Sequence, residues 1–204
     1  SQFVADRIWK YYRRFAHIIH PPVDVNAFNV ALPAERSDYF LMVGRLIAYK
    51  RHDIAIQAFN ELRLPLKIVG RGPEYDRLKK LAGPTIEFLG RVPDKDLPRY
   101  YGACRAFIFP QEEDFGIVAF EAFASGRPII AFRGGDIPEH LEEGVMGTFF
   151  DRQTVNDIVT AVREFHDADY DAERIRRKAL AFDRAVFAEK IRAYLDNVCC
   201  DVKG

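Results

Sequence analysis

Two basic side chains follow the first strongly hydrophobic run of the sequence. Residues 39–43 form that run, and Gly44, Arg45 and Lys50 come after it. Arginine can hold a diphosphate through two hydrogen bonds, and lysine adds a compact positive charge. The segment therefore predicts a diphosphate site, with a solvated basic loop as the alternative.

A second segment, residues 110–121, places a glycine just before a run with helical spacing. The amides of Gly116, Ile117 and Val118 would be free at the start of this helix, where they can bind an anion. Glu113 could accept hydrogen bonds from sugar hydroxyls, and Glu121, eight residues after it and on the helix, from a ribose diol. The alternative is that the acids only offset the helix dipole and that Glu121 is solvent-exposed.

Both segments follow hydrophobic runs that are typical of strands covered on both faces. Six such runs lie at residues 39–43, 66–69, 86–89, 106–109, 129–132 and 147–150, and most are separated by stretches with helical spacing. This alternation predicts an α/β fold, a parallel sheet of about six strands with helices on both faces. Such sheets bind ligands beyond the carboxyl ends of their strands, where both segments lie.

The remaining segments are predicted to be mainly helical. Residues 2–15 predict one helix and residues 154–198 two or three more, and Thr154 and Asp157 have the spacing of a capping box. Residues 17–19 predict a short strand before Pro21-Pro22.

Composition excludes several classes of protein. The chain has 204 residues, of which 49% are hydrophobic and 29% charged, as in ordinary globular proteins and unlike disordered chains. Its 30 basic and 30 acidic residues balance, which argues against an extended nucleic-acid surface. No apolar run reaches the roughly 18–20 residues of a membrane-spanning helix. These properties favour a soluble protein of about one domain, and three cysteines without paired or metal-ligand spacing favour the cytoplasm.

The common cofactor motifs are missing or weak. The sequence has no phosphate-binding GxxxxGK[ST] loop and no HExxH, and its five histidines and three cysteines lack metal-ligand spacing. Gly70-Arg71-Gly72 starts like a dinucleotide fingerprint but lacks the third glycine, which disfavours NAD. We therefore expect neither a metal nor a bound cofactor.

Taken together, the motifs resemble the carboxyl-terminal domain of the retaining family-4 glycosyltransferases, which have the GT-B fold of two Rossmann-like domains. The resemblance covers nearly all of residues 17–198. It rests on Gly44-Arg45-Leu46 with Lys50, Ile68-Val69-Gly70, Phe88-Leu89-Gly90, Pro93-Asp94, the run from Glu113 to Glu121, Ser125-Gly126-Arg127-Pro128 and Gly134-Gly135 with Glu139.

The resemblance implies a role for each candidate residue. Arg45 and Lys50 would neutralise the leaving diphosphate, beside Gly44 and helped by the amides of Gly116, Ile117 and Val118, with Phe115 in the same donor-binding turn. Val92 would contact the nucleobase through its backbone, Glu121 the ribose and Glu113 the donor sugar. The family needs no metal, because cations of the protein stabilise the leaving group.

Two departures from the usual pattern bear on the donor. Asp114 replaces a common glycine, and Arg51 follows the lysine where glycine is frequent. Both features resemble the mannosyltransferase-like branch of the family. They favour GDP-mannose as the donor, with a UDP-sugar as the alternative.

The resemblance also implies a domain organisation. Residues 1–16 resemble the last helix of an amino-terminal domain, residues 17–185 the nucleotide-sugar-binding domain and residues 186–204 a carboxyl-terminal helix and tail. An amino-terminal domain would bind the acceptor, a glycan or lipid-linked chain, so we expect this fragment to transfer little or no sugar by itself. A lipid-linked acceptor would bring the full enzyme to the membrane periphery, and an exposed face of the last helix could make the fragment dimerise.

Three other functions remain open from the residues. A Rossmann-like binding or interaction module without chemistry would have the same sheet, but it has no need of Arg45, Lys50, Glu113 and Glu121 at one edge. A phosphorylase or sugar-phosphate synthase of the same fold would differ in the acceptor.

Overall fold

The computed structural model describes the backbone of residues 1–201 and the side chains of residues 1–198. Its centre is a parallel sheet of six strands in the order β3-β2-β1-β4-β5-β6. The strands are β1 (Phe40–Val43), β2 (Leu66–Val69), β3 (Ile86–Gly90), β4 (Phe107–Phe109), β5 (Ile129–Phe132) and β6 (Gly147–Phe150). The predicted fold class and all six predicted strands are confirmed.

Helices cover both faces of this sheet. The α-helices of the described residues are α1 (Gln2–Tyr12), α2 (His52–Leu62), α3 (Tyr75–Leu81), α4 (Leu97–Ala103), α5 (Ile117–Ala124), α6 (Val155–Glu164), α7 (Ala172–Ala179) and α8 (Arg184–Asp201). Apolar residues of α2, α3 and α6 pack on one face, and those of α4, α5 and α7 on the other. Burial on both faces explains why the strands are nearly continuous hydrophobic runs.

The amino-terminal segment differs from the prediction in two ways. Helix α1 ends at Tyr12, because Arg13 adopts the left-handed conformation (φ 53°) and its amide closes on the Trp9 carbonyl. The predicted strand at residues 17–19 is wrong. This stretch runs beside α8, where the His17 ring stacks on Tyr194 with centroids 4.8 Å apart, and not along a free edge of the sheet.

The carboxyl-terminal region forms three helices, as predicted. Thr154 caps α6 by accepting a hydrogen bond from the Asp157 amide at 3.2 Å. On α8, Tyr194, Leu195 and Val198 are exposed, and dimerisation through this face stays a prediction. Among the described residues, no helix is both long and apolar enough to cross a bilayer.

Candidate functional site

The strand order creates a single crevice at the centre of the sheet. β1 and β4 are neighbours, with Leu41 opposite Phe107, and the chain proceeds from them toward opposite edges of the sheet. The loops that follow these two strands therefore leave in different directions and open a cleft between them. Both candidate segments lie here, residues 44–51 after β1 and residues 110–116 after β4.

An ion pair joins the two loops. Lys50 Nζ donates to Glu113 Oε1, and both side chains are only 14% exposed. The Lys50 ammonium also lies 5.6 Å from the centre of the Tyr49 ring, whose hydroxyl is 3.5 Å from Glu113 Oε2. A Cβ on Gly44 would come 3.4 Å from Lys50 Cδ. The structure thus brings together Gly44, Lys50 and Glu113 from the predicted set, and it adds Tyr49.

Arg45 and Val92 lie farther toward β3. Both line a cavity of about 240 Å³, together with Arg71, Arg91 and Asp94. β1 and β2 approach closely at its floor, since a Cβ on Gly70 would stand 1.8 Å from the Gly44 carbonyl oxygen. The cavity offers three cationic side chains and one carboxylate, which suits a charged and polar ligand.

Sequence reasoning missed Arg71 and Arg91, although a signal for them exists. The same Gly-Arg pair lies at the ends of the adjacent strands β1, β2 and β3, as Gly44-Arg45, Gly70-Arg71 and Gly90-Arg91. In a parallel sheet, residues after successive strands meet at the same edge. The repeated dipeptide could therefore have predicted a row of arginines.

Glu121 is half-buried on α5 and already has a partner. Its Oε2 accepts a hydrogen bond from the Tyr101 hydroxyl at 2.7 Å. Burial raises the pKa of Glu121, the Tyr101 bond opposes this effect, and the nearby Asp94 charge adds to it. Asp94 thereby connects Glu121 with the arginine-lined cavity. The simple alternative of a solvent-exposed Glu121 is wrong.

The start of α5 differs from the prediction of three free amides. Gly116 donates to Asp136 Oδ2 at 3.2 Å, and the Ile117 amide donates to the Phe115 carbonyl at 3.1 Å. Within residues 1–201, only the Val118 amide of the three lacks an acceptor. The prediction is therefore wrong for Gly116, because Asp136 reaches its amide from a loop 20 residues away, and for Ile117, because its amide bonds to a carbonyl of its own turn.

The Phe115 side chain points into the protein. It stacks on Phe120 with ring centroids 4.5 Å apart and packs near His140 and Phe182. Any contact of Phe115 with a ligand at the sheet edge would thus come from its backbone.

A cluster of possible metal ligands lies behind this turn. His20, Glu139 and His140 have ligand atoms within 4.8 Å of one another. However, the two carboxylate oxygens of Glu139 accept the Gln2 and Phe3 amides of α1, at 2.8 and 2.7 Å. Glu139 therefore serves as a partner of the α1 N-terminus.

The family model for glycosyl transferases group 1 matches residues 25–181, which include the candidate donor-site residues from Gly44 to Glu121. The chain belongs to this family. A GDP-mannose-dependent alpha-(1-6)-phosphatidylinositol monomannoside mannosyltransferase from Mycolicibacterium smegmatis is 33% identical over 138 residues, 59% of this chain and 36% of that protein. The chain spans less than half the length of the curated relatives it matches.

Solved glycosyltransferases share the fold. Sucrose-phosphate synthase from Thermosynechococcus elongatus superposes with a TM-score of 0.85 at 20% identity, over 98% of this chain and 57% of that one. Anabaena HepE, solved with UDP and glucose, gives a TM-score of 0.76 at 21% identity, over 89% of this chain and 57% of its own. The six-stranded sheet of this chain is one Rossmann-like half of a GT-B fold.

Proposed function

We propose that this domain binds the donor of a retaining, metal-independent glycosyltransferase of family 4, and that the donor is a nucleoside-diphosphate sugar. The Lys50–Glu113 pair carries the proposal, since it places a largely buried cation in the crevice between β1 and β4. The acceptor, a glycan or lipid-linked chain, would be bound by another part of the complete enzyme. A lipid-linked acceptor would bring that enzyme to the cytoplasmic face of a membrane.

In this proposal the cations replace a metal ion. Lys50 and Arg45 stabilise the negative charge that develops on the leaving diphosphate, and the Val118 amide adds a donor at the start of α5. Glu113 orients Lys50 and accepts from hydroxyls of the donor sugar. Each donor placed against the developing charge contributes about 2.7–4 kcal/mol, equivalent to 10²–10³ in rate.

The base and ribose would lie toward β3. Val92 contacts the base through its backbone in the arginine-lined cavity, and Glu121 receives the ribose hydroxyls on the oxygen that Tyr101 leaves free. Asp94 lines the same cavity and offers a carboxylate.

GDP-mannose is the donor we favour. The mannosyltransferase from Mycolicibacterium smegmatis, which is named as GDP-mannose-dependent, supports it, as do Asp114 and Arg51, in which the chain resembles the mannosyltransferase-like branch. The HepE complex with UDP and glucose supports a UDP-sugar as the second candidate.

Calorimetric titration without metal tests this proposal. GDP, GDP-mannose, UDP and UDP-glucose are titrated into the chain, into Lys50→Ala and into Lys80→Ala, which removes an exposed lysine of α3 as a control. We expect binding of GDP and GDP-mannose that is at least tenfold weaker in Lys50→Ala and unchanged in Lys80→Ala, because a charge-assisted bond contributes about 1.5–3 kcal/mol.

The possible outcomes separate the alternatives. Tighter binding of UDP and UDP-glucose would select the UDP-sugar donor. Equal binding by Lys50→Ala and the unchanged chain would contradict the assignment of the diphosphate to the crevice. In the complete enzyme, we expect Lys50→Ala to lower turnover 10²–10³-fold.

A further inference from the structure

Asp136 is a buried acid that the proposed donor chemistry does not use. It lies in the loop between β5 and β6, and its side chain is fully buried. A buried carboxylate is costly unless hydrogen bonds compensate for the lost hydration. Its contacts therefore indicate what it does.

Asp136 holds both ends of the turn that precedes α5. Its Oδ2 accepts the Gly116 amide at 3.2 Å, and its own amide donates to the Glu113 carbonyl at 3.0 Å. One residue thus fixes the backbone of Glu113, whose side chain pairs with Lys50, and the first turn of α5.

The neighbouring backbone makes this attachment tight. Gly135 has φ +69° and packs directly on Glu113, where an added Cβ would lie 2.4 Å from the carbonyl oxygen. The loop after β5 and the turn before α5 therefore cannot move independently without breaking these contacts.

The attachment also places a negative charge at the start of α5. Helix N-termini favour an anion, and here a carboxylate of the protein already occupies the Gly116 amide. A diphosphate arriving at the Val118 amide would come close to this charge. Asp136 would thus have two opposing effects on an anionic ligand, since it orders the turn and repels the phosphates.

We propose that Asp136 is a positioning residue that holds the turn of residues 113–116 for the donor while its charge limits the affinity for the diphosphate. The effect on diphosphate affinity rests on the proposed function. The positioning of the turn depends only on the contacts of Asp136 to Glu113 and Gly116.

The charges around Asp136 support this interpretation. Glu113 faces it from the turn before α5, Glu139 and His140 from its own loop, and His20 lies against His140. Burial raises the pKa of Asp136 to about 6, with the Gly116 bond opposing and Glu139 and Glu113 adding to the increase. A diphosphate nearby would raise this pKa further, so binding near pH 6–7 should take up protons at Asp136.

Two substitutions separate the ordering of the turn from the effect of the Asp136 charge. Asp136→Asn keeps an oxygen that can accept the Gly116 amide but removes the charge, whereas Asp136→Ala removes both. Asp76→Asn, at an exposed position of α3, is the control for loss of an acid. Folding of each variant is checked by circular dichroism and thermal melting.

The first measurement is amide hydrogen exchange at Gly116 without any ligand. We expect Asp136→Asn to retain slow exchange and Asp136→Ala to exchange at least tenfold faster. Exchange in Asp136→Ala at the rate of the unchanged chain would overturn the positioning role. This result does not depend on whether the domain binds a nucleotide.

The second measurement is titration with GDP and UDP near pH 6.5, in buffers of different ionisation enthalpy. We expect Asp136→Asn to bind the preferred nucleotide three- to tenfold more tightly and without the proton uptake of the unchanged chain, and Asp136→Ala to bind at least fivefold more weakly. Equal nucleotide affinities in the unchanged chain and both variants would overturn the proposed effect of Asp136 on donor binding. If the unchanged chain bound neither nucleotide, the proposed function and the effect on diphosphate affinity would fail, while the exchange measurement would still decide the positioning of the turn.

Discussion

Two helix N-termini receive a carboxylate from the same loop, and the two contacts differ in burial. Glu139 is exposed and accepts two amides of α1 at 2.7 and 2.8 Å, whereas Asp136 is buried and accepts the Gly116 amide, just before α5, at 3.2 Å. The exposed contact has more and shorter bonds, but water can replace it. The buried contact has no such substitute, and losing it leaves an unsatisfied amide inside the protein. Burial, more than bond count, should therefore decide which contact stabilises the domain.

The largest effect should come from separating the loop from the turn before α5. In Gly135→Ala, the new Cβ would collide with the Glu113 backbone at a residue with φ +69°, so both strain and overpacking oppose folding. We expect a loss of about 2–4 kcal/mol in the free energy of unfolding, measured by urea denaturation.

Gly144→Ala is the matched control for this experiment. Gly144 precedes β6 and also has a positive φ, +77°, but a Cβ there would meet no atom within 4 Å. It should therefore show the strain alone, about 1 kcal/mol. Equal losses in the two variants would contradict the tight attachment of the loop to Glu113.

The pH dependence of stability should distinguish Asp136 from its neighbour His140. Burial raises the pKa of Asp136 to about 6 and lowers that of His140 to about 4. Between pH 4 and 6, Asp136 binds more protons in the folded chain than in the unfolded chain, so its contribution to stability falls as pH rises. His140 binds fewer protons in the folded chain than in the unfolded chain, so its contribution rises with pH. The two effects oppose each other in the unchanged chain.

Removing one member of this pair should expose the other. Asp136→Asn should gain stability more steeply than the unchanged chain from pH 4 to 6, with a difference on the order of 1 kcal/mol. Urea denaturation at several pH values measures it. His140→Gln, as the reciprocal variant, should instead lose stability over this range. Parallel profiles for all three chains would show that neither group is perturbed by burial.

The smallest effect is expected at the exposed contact. Glu139→Ala should cost about 0.3–1 kcal/mol and speed hydrogen exchange in residues 2–12, because it removes the acceptor of the Gln2 and Phe3 amides. High salt should reduce this cost, since the charge is solvent-exposed. Glu189→Ala, at an exposed position within α8, is the control. If Glu139→Ala lost as much free energy of unfolding as Asp136→Ala, burial would not decide which of the two contacts stabilises the domain.

The sheet could be predicted because burial of its strands on both faces requires short hydrophobic runs, which are visible in the sequence. Strands such as β1 and β4 are covered on both faces, so each is a short hydrophobic run whatever its neighbours are. The predicted strand at residues 17–19 shows the limit of this rule. Its isoleucines line a cavity together with residues of α8, and a short hydrophobic run does not reveal whether a helix or a strand will lie beside it.

The parallel α/β fold and the position of Lys50 and Glu113 at one edge of the sheet could be predicted from the sequence, because residues that follow parallel strands share that edge. The ion pair between them and the other partners in the site depend on tertiary contacts. Tyr101 reaches Glu121 from α4, and Asp136 reaches Gly116 from the loop after β5. Such contacts depend on loop conformation and side-chain direction, which leave no periodic pattern in the sequence.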